Sequence, residues 1–114
     1  MSVLMDTGRV ALTLDPGVCR LTSKIEVYPD GDEFHCKIES RCTHVQDFAN
    51  QLDGFTMMDV IKMPFCENKV YAVGGRTLKH SACPVPMAVL KAAEVASGLG
   101  LKRDVHVTFE KEQR

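Results

Sequence analysis

Five cysteines fall within 114 residues, and four of them stand where the chain changes direction. Cys19 follows the turn signal Asp15-Pro16-Gly17. Cys42 lies between a segment of period two and one of helical period. Cys66 follows Pro64, and Cys83 directly precedes Pro84 and a long apolar-periodic run. A thiolate at a helix N-terminus is favoured by unpaired backbone N–H groups and by the positive end of the peptide dipoles. Four such sulfurs meeting at one point would form a metal or iron–sulfur site. Cys36 is of another kind. It shares strand phase with Phe34 and Ile38 and reads as a small buried hydrophobe.

No two cysteines form a CxxC pair, so zinc-ribbon and simple ferredoxin signatures are absent, and placement carries the inference. His80, three residues before Cys83, is a candidate nitrogen ligand or proton donor, against the plainer role of a solvated loop histidine. Lys79 and Arg20 could offset thiolate charge, although solvation accounts for them equally well. His44 reads as an exposed first-turn residue, and His35 and His106 as outward-facing strand residues. Gly74-Gly75-Arg76 lacks the context of a phosphate loop, and Met57, Met58 and Met63 read as gap-filling core. No Ser/His/Asp set or carboxylate pair stands out for hydrolysis.

The elements that must position these thiols follow from periodicity. Val10, Leu12 and Leu14 alternate with Arg9, Ala11 and Thr13, which predicts a first strand. Leu21, Ser23, Ile25 and Val27 share a face in a second, and Phe34, Cys36 and Ile38 in a third. The turn Pro29-Asp30-Gly31-Asp32 lies between those two. Val45, Phe48, Ala49 and Leu52 predict a helix, with Thr43 and Gln46 as a capping box and Asp53-Gly54 as its end. Thr56–Ile61 predicts a short helix with Thr56 as N-cap, broken by Pro64, and a weakly helical stretch runs to Gly74-Gly75. The clearest helix starts at Pro84, buries Val85, Ala88, Val89, Ala92, Ala93 and Ala96, and ends at Gly98. Val105, Val107 and Phe109 predict a closing strand. The expected fold is α+β: an antiparallel three-stranded meander plus a C-terminal strand, with helices on one face. The chain reads as a single domain over 1–114, frayed at 1–7 and 111–114.

Composition narrows the partners. Fourteen basic and fifteen acidic residues give a net charge of −1, with no basic stripe for nucleic acid. No apolar run is long enough for a membrane span, and Met1–Asp6 has no signal-peptide character, so a cytoplasmic protein is expected. In a reducing compartment an odd number of cysteines reads as ligands or thiols, not as a disulfide framework.

The chain resembles the U-type iron–sulfur cluster assembly scaffolds from about Gly17 to Ala96. The likeness rests on Gly17-Val18-Cys19 before two strands, on Glu39-Ser40-Arg41-Cys42 between strand and helix, and on Leu78-Lys79-His80-Ser81-Ala82-Cys83 opening a helix with Leu90-Lys91-Ala92-Ala93. The resemblance implies that Cys19, Cys42, His80 and Cys83 hold zinc or a nascent cluster. Arg20-Leu21 stands where that family has Gly-Asp, Arg41 where it has Gly, and two residues separate His80 from Cys83, which are adjacent in the family. Cys66 has no counterpart there and would add a fourth thiolate.

The expectation is an iron–sulfur protein, its 4Fe–4S cluster held by Cys19, Cys42, Cys66 and Cys83, serving electron transfer, redox sensing or cluster transfer with a protein partner. A homodimer is compatible with this reading. The alternatives are a zinc-stapled interaction module on the same sulfurs and a thiol-based sulfur carrier with Cys83 or Cys42 as nucleophile. Catalysis forms no part of the leading expectation.

Overall fold

The computed structural model describes residues 8–111. Three strands form one antiparallel sheet in the order β1-β2-β3: β1 (Val10–Leu14), β2 (Ser23–Asp30) and β3 (Glu33–Ser40). The pairing joins Val10 to Val27, Leu12 to Ile25 and Leu14 to Ser23, then Ile25 to Ile38 and Val27 to Cys36. All the apolar positions of the alternation therefore lie on one face. That face is covered by helices, while Lys24, Lys37 and Glu39 point to solvent from the other.

Four α-helices follow: α1 (Thr43–Gln51), α2 (Met57–Ile61), α3 (Lys69–Thr77) and α4 (Val85–Ala96), with a 3-10 turn at Phe65–Glu67. Helix α4 crosses β2 and β1, α1 packs beside β3, and α3 sits against both helices. Phe48, Phe55, Val27, Val70, Val89 and Ala93 lose all solvent contact between the layers. Gly98, at φ 83°, stops α4 in a left-handed conformation that glycine adopts without steric cost.

The α+β architecture is as the periodicity predicts, with four local differences. The N-cap of α1 is Cys42, whose side chain makes no capping bond, and Gln46 donates instead to the Ser40 carbonyl at 2.7 Å. The reciprocal box is at α2, where Thr56 and Asp59 satisfy each other's backbone N–H groups. Helix α3 is a full element because buried Asn68 caps it, accepting from Val70 N–H at 2.9 Å and Tyr71 N–H at 3.4 Å. Helix α4 begins at Val85, with Pro84 as its N-cap.

Two further expectations fail. Met57, Met58 and Met63 are 42, 70 and 64% exposed, so they lie on the surface and fill no core gap. The closing strand does not form: residues 101–111 have no strand pairing, and Val107 and Phe109 are 85 and 93% exposed. Period-two alternation supplies the capacity to pair, whereas a ladder also needs a neighbour's N–H and C=O groups in register. Of the ends expected to fray, 1–7 and 112–114 lie outside the described residues.

Candidate functional site

Leu14, Ser23 and Ser40 are paired across the sheet and mark one of its ends. Two cysteine-bearing segments leave from that end. The first is the loop of residues 15–22. Gly17 N–H donates to Asp15 Oδ1 at 3.0 Å, and Arg20 N–H donates to the Gly17 carbonyl at 2.9 Å. Gly17 and Arg20 both take positive φ, 92° and 59°, so the loop doubles back and carries Cys19 outward, exposed. The second is Arg41-Cys42. Ser40 Oγ accepts from Cys42 N–H at 3.1 Å, and the Cys42 carbonyl accepts from Gln46 N–H at 3.0 Å. The thiol of Cys42 is thus held half-buried at the N-terminus of α1.

Cys83 reaches the same region from the other layer. Its N–H donates to the His80 carbonyl at 3.1 Å, closing a turn before α4, and Val85 N–H donates to its thiol. The Cys83 thiol is pushed up from its ordinary value, first by burial and then by repulsion from Cys42 and Cys19, against the lowering effect of the Val85 N–H. A helix terminus alone would lower it, so here desolvation and neighbouring sulfur charge outweigh the dipole. The repulsion is informative about placement. Two thiols from distant parts of the chain lie close enough to Cys83 for their charge to be felt there.

Cys66 is tied elsewhere. Phe55 bridges Phe34, at the opposite end of β3 from Ser40, and six residue steps at roughly 3.3 Å separate those ends by about 20 Å. Lys69 Nζ donates to the Gly54 carbonyl at 2.6 Å, and Asn68 Nδ2 donates to the carbonyls of Asp59 and Lys62. These bonds hold the exposed turn bearing Cys66 with the Phe55 segment. The converging set is therefore Cys19, Cys42 and Cys83, and the expected fourth sulfur is not gathered with them. His80 is exposed and enters this region through its carbonyl.

Among the described residues, no three His, Cys, Asp or Glu side chains are drawn tightly enough to grip a metal ion as they stand. The donor chemistry nevertheless suits a soft metal: three sulfurs, two at helix N-termini and one on an exposed loop. Cys36 packs against the core beside β2, and burial lifts its thiol to about 11, which keeps it neutral and inert. Sequence reasoning did not identify Ser40 as the residue that orients Cys42. Its signal was a serine two residues ahead of the helix N-cap, the pattern of a side-chain turn.

Residues 10–109 match a family of unknown function, DUF6951, and since this is nearly the whole chain the protein belongs to that family. No curated protein and no solved structure matches.

Proposed function

We propose that this DUF6951 member binds a thiolate-ligated metal centre through Cys19, Cys42 and Cys83, with an iron–sulfur cluster as the favoured occupant. The observation that carries the reading is the approach of Cys19 and Cys42, far apart in the chain, to Cys83, close enough that their charge bears on its thiol. Deprotonated together, the three sulfurs would repel one another, and a cation among them turns that repulsion into attraction. Cysteine at the N-cap of α1 points the same way, because serine, aspartate or asparagine would cap that helix better.

Three thiolates leave one coordination position for an exchangeable ligand, which suits assembly or transfer of a cluster more than permanent storage. When bound, the cluster would supply electron-transfer or cargo chemistry, while Cys42 and Cys83 fix its position and the Cys19 loop governs access. His80, whose carbonyl closes the Cys83 turn, would be the candidate nitrogen ligand to complete the set. The raised thiol of Cys83 disfavours the sulfur-carrier alternative for that residue, since nucleophilic thiols need the thiolate at neutral pH.

The test is anaerobic reconstitution with iron and sulfide, read by visible absorption and metal analysis. Single Cys→Ser variants at 19, 42 and 83 should each lose the chromophore, and those at 36 and 66 should retain it. Stoichiometric zinc with no colour would replace the cluster by a zinc staple at the same site. Failure to bind either metal would refute the proposal.

A further inference from the structure

Among the described residues, strand β1 is an open sheet edge. Its partner β2 occupies one side, and among the described residues no backbone hydrogen bond is made to the other. Natural edges are usually blunted by charge, proline or a bulge, yet Val10-Ala11-Leu12-Thr13-Leu14 contains none of these within the strand. The opposite edge, β3, is guarded by Lys37 and Glu39 and bridged at Phe34 by Phe55. Leu12 and Leu14 are only partly covered by α4, and a cavity of about 730 Å³ lies between β1, α4 and residues 101–106.

The same chain carries a strand without a sheet. Val105, Val107 and Phe109 alternate with His106 and Thr108, and their exposure rises from 50 to 85 to 93% outward along the arm. Residues 101–106 line the far wall of the cavity, but 107–109 lie beyond it. The radius of gyration, 14.8 Å, exceeds the roughly 13 Å expected of a compact chain of this length, and the long axis is 57 Å against 29 Å for the others. Both fit an arm that stands away from its own body. The family match opens at Val10, the first residue of β1, and closes at Phe109, the last apolar residue of the arm.

We infer that the occupant of the β1 edge is the C-terminal arm of a second copy, exchanged reciprocally about a two-fold axis. The arm lies antiparallel to β1 in this arrangement, with Val107 opposite Leu12. Phe109 and Val105 then cover Val10 and Leu14 on the apolar face, and each sheet becomes four-stranded. Because the contact is self-complementary, every apolar residue buried in one half is buried again in the other, and the assembly closes at two copies. In the isolated chain, residues 101–106 face their own β1 only across the cavity, and exposure then rises through Val107 to Phe109 as the arm leaves the body.

Light scattering on the full chain at about 100 µM should give twice 12.6 kDa. The double variant V107D/F109D alters only exposed side chains of the isolated chain, so it should keep its circular dichroism while self-association weakens at least ~10-fold. In a mixture of carbon-13-labelled and unlabelled protein, isotope-filtered NOEs should connect Leu12 of one chain with Val107 of the other. A monomer at that concentration, a dimer indifferent to V107D/F109D, or Leu12–Val107 contacts confined to one chain would each overturn the inference.

Discussion

Removing the side chain of Asn68 should be disproportionately costly for a single polar residue. Asn68 is 3% exposed and occupies both sides of its amide. Its Oδ1 caps α3 by accepting from Val70 and Tyr71, and its Nδ2 donates to the Asp59 carbonyl at 3.0 Å and the Lys62 carbonyl at 3.3 Å. One residue therefore ties the start of α3 to the end of α2. Loss of an N-cap costs ~1 kcal/mol, and each buried hydrogen bond that loses its donor costs a further ~1 kcal/mol. Asn68→Ala should then lose about 3 kcal/mol, or roughly 10–20 °C in Tm for a domain of this size. Asn68→Asp separates the two halves. A carboxylate keeps the cap but sets negative charge against two carbonyl oxygens, so its deficit should remain at about 2 kcal/mol or more and shrink as the carboxyl is protonated. Urea titration followed by far-UV circular dichroism, with m held common, measures both. A loss below about 1 kcal/mol for Asn68→Ala would refute the argument, because it would mean the four bonds are replaced by solvent at no cost.

Cys42→Ser should abolish metal binding yet stabilise the metal-free protein by about 0.5–1 kcal/mol, because serine caps α1 where cysteine makes no side-chain bond; thermal melts in chelator read it. Phe48→Ala should cost about 3–5 kcal/mol in urea unfolding, since Phe48 is fully buried beneath α3 and the sheet. Burial of Cys36 lifts its folded value from 9.0 to about 11. The sign follows directly: a raised folded value means stability is intact below 9 and is lost as pH rises from 9 toward 11. Stability relative to Cys36→Val should therefore fall by on the order of 2 kcal/mol across that window, measured by urea midpoints at each pH.

Much of this protein was written into its local patterns. Alternation at Val10–Leu14, Ser23–Val27 and Phe34–Ile38 determined three strands and the face each would bury, because a period of two leaves no other choice once one side must be dry. The spacing of Val45, Phe48 and Leu52 and of Val85, Ala88, Val89 and Ala92 determined the two helices that cover them. The neutral, buried character of Cys36 followed from the same phase. What the one-dimensional signal lacked was the far partner. Asn68 makes α3 by bonding a segment nine residues earlier, so the helix looked weak when its own propensities were read alone. The arm at Val105–Phe109 has every property of a strand except a neighbour.

The thiols divide on the same principle. Turn and helix-start signals mark Cys19, Cys42, Cys66 and Cys83 alike, because each responds only to its adjacent residues. Which of them meet depends on strand order and helix docking. Two leave the Ser40 end of the sheet, α4 carries a third to them, and the Phe34–Phe55 bridge holds the fourth at the other end. Local backbone chemistry chose the places for sulfur, and long-range packing chose which sulfurs can feel one another's charge.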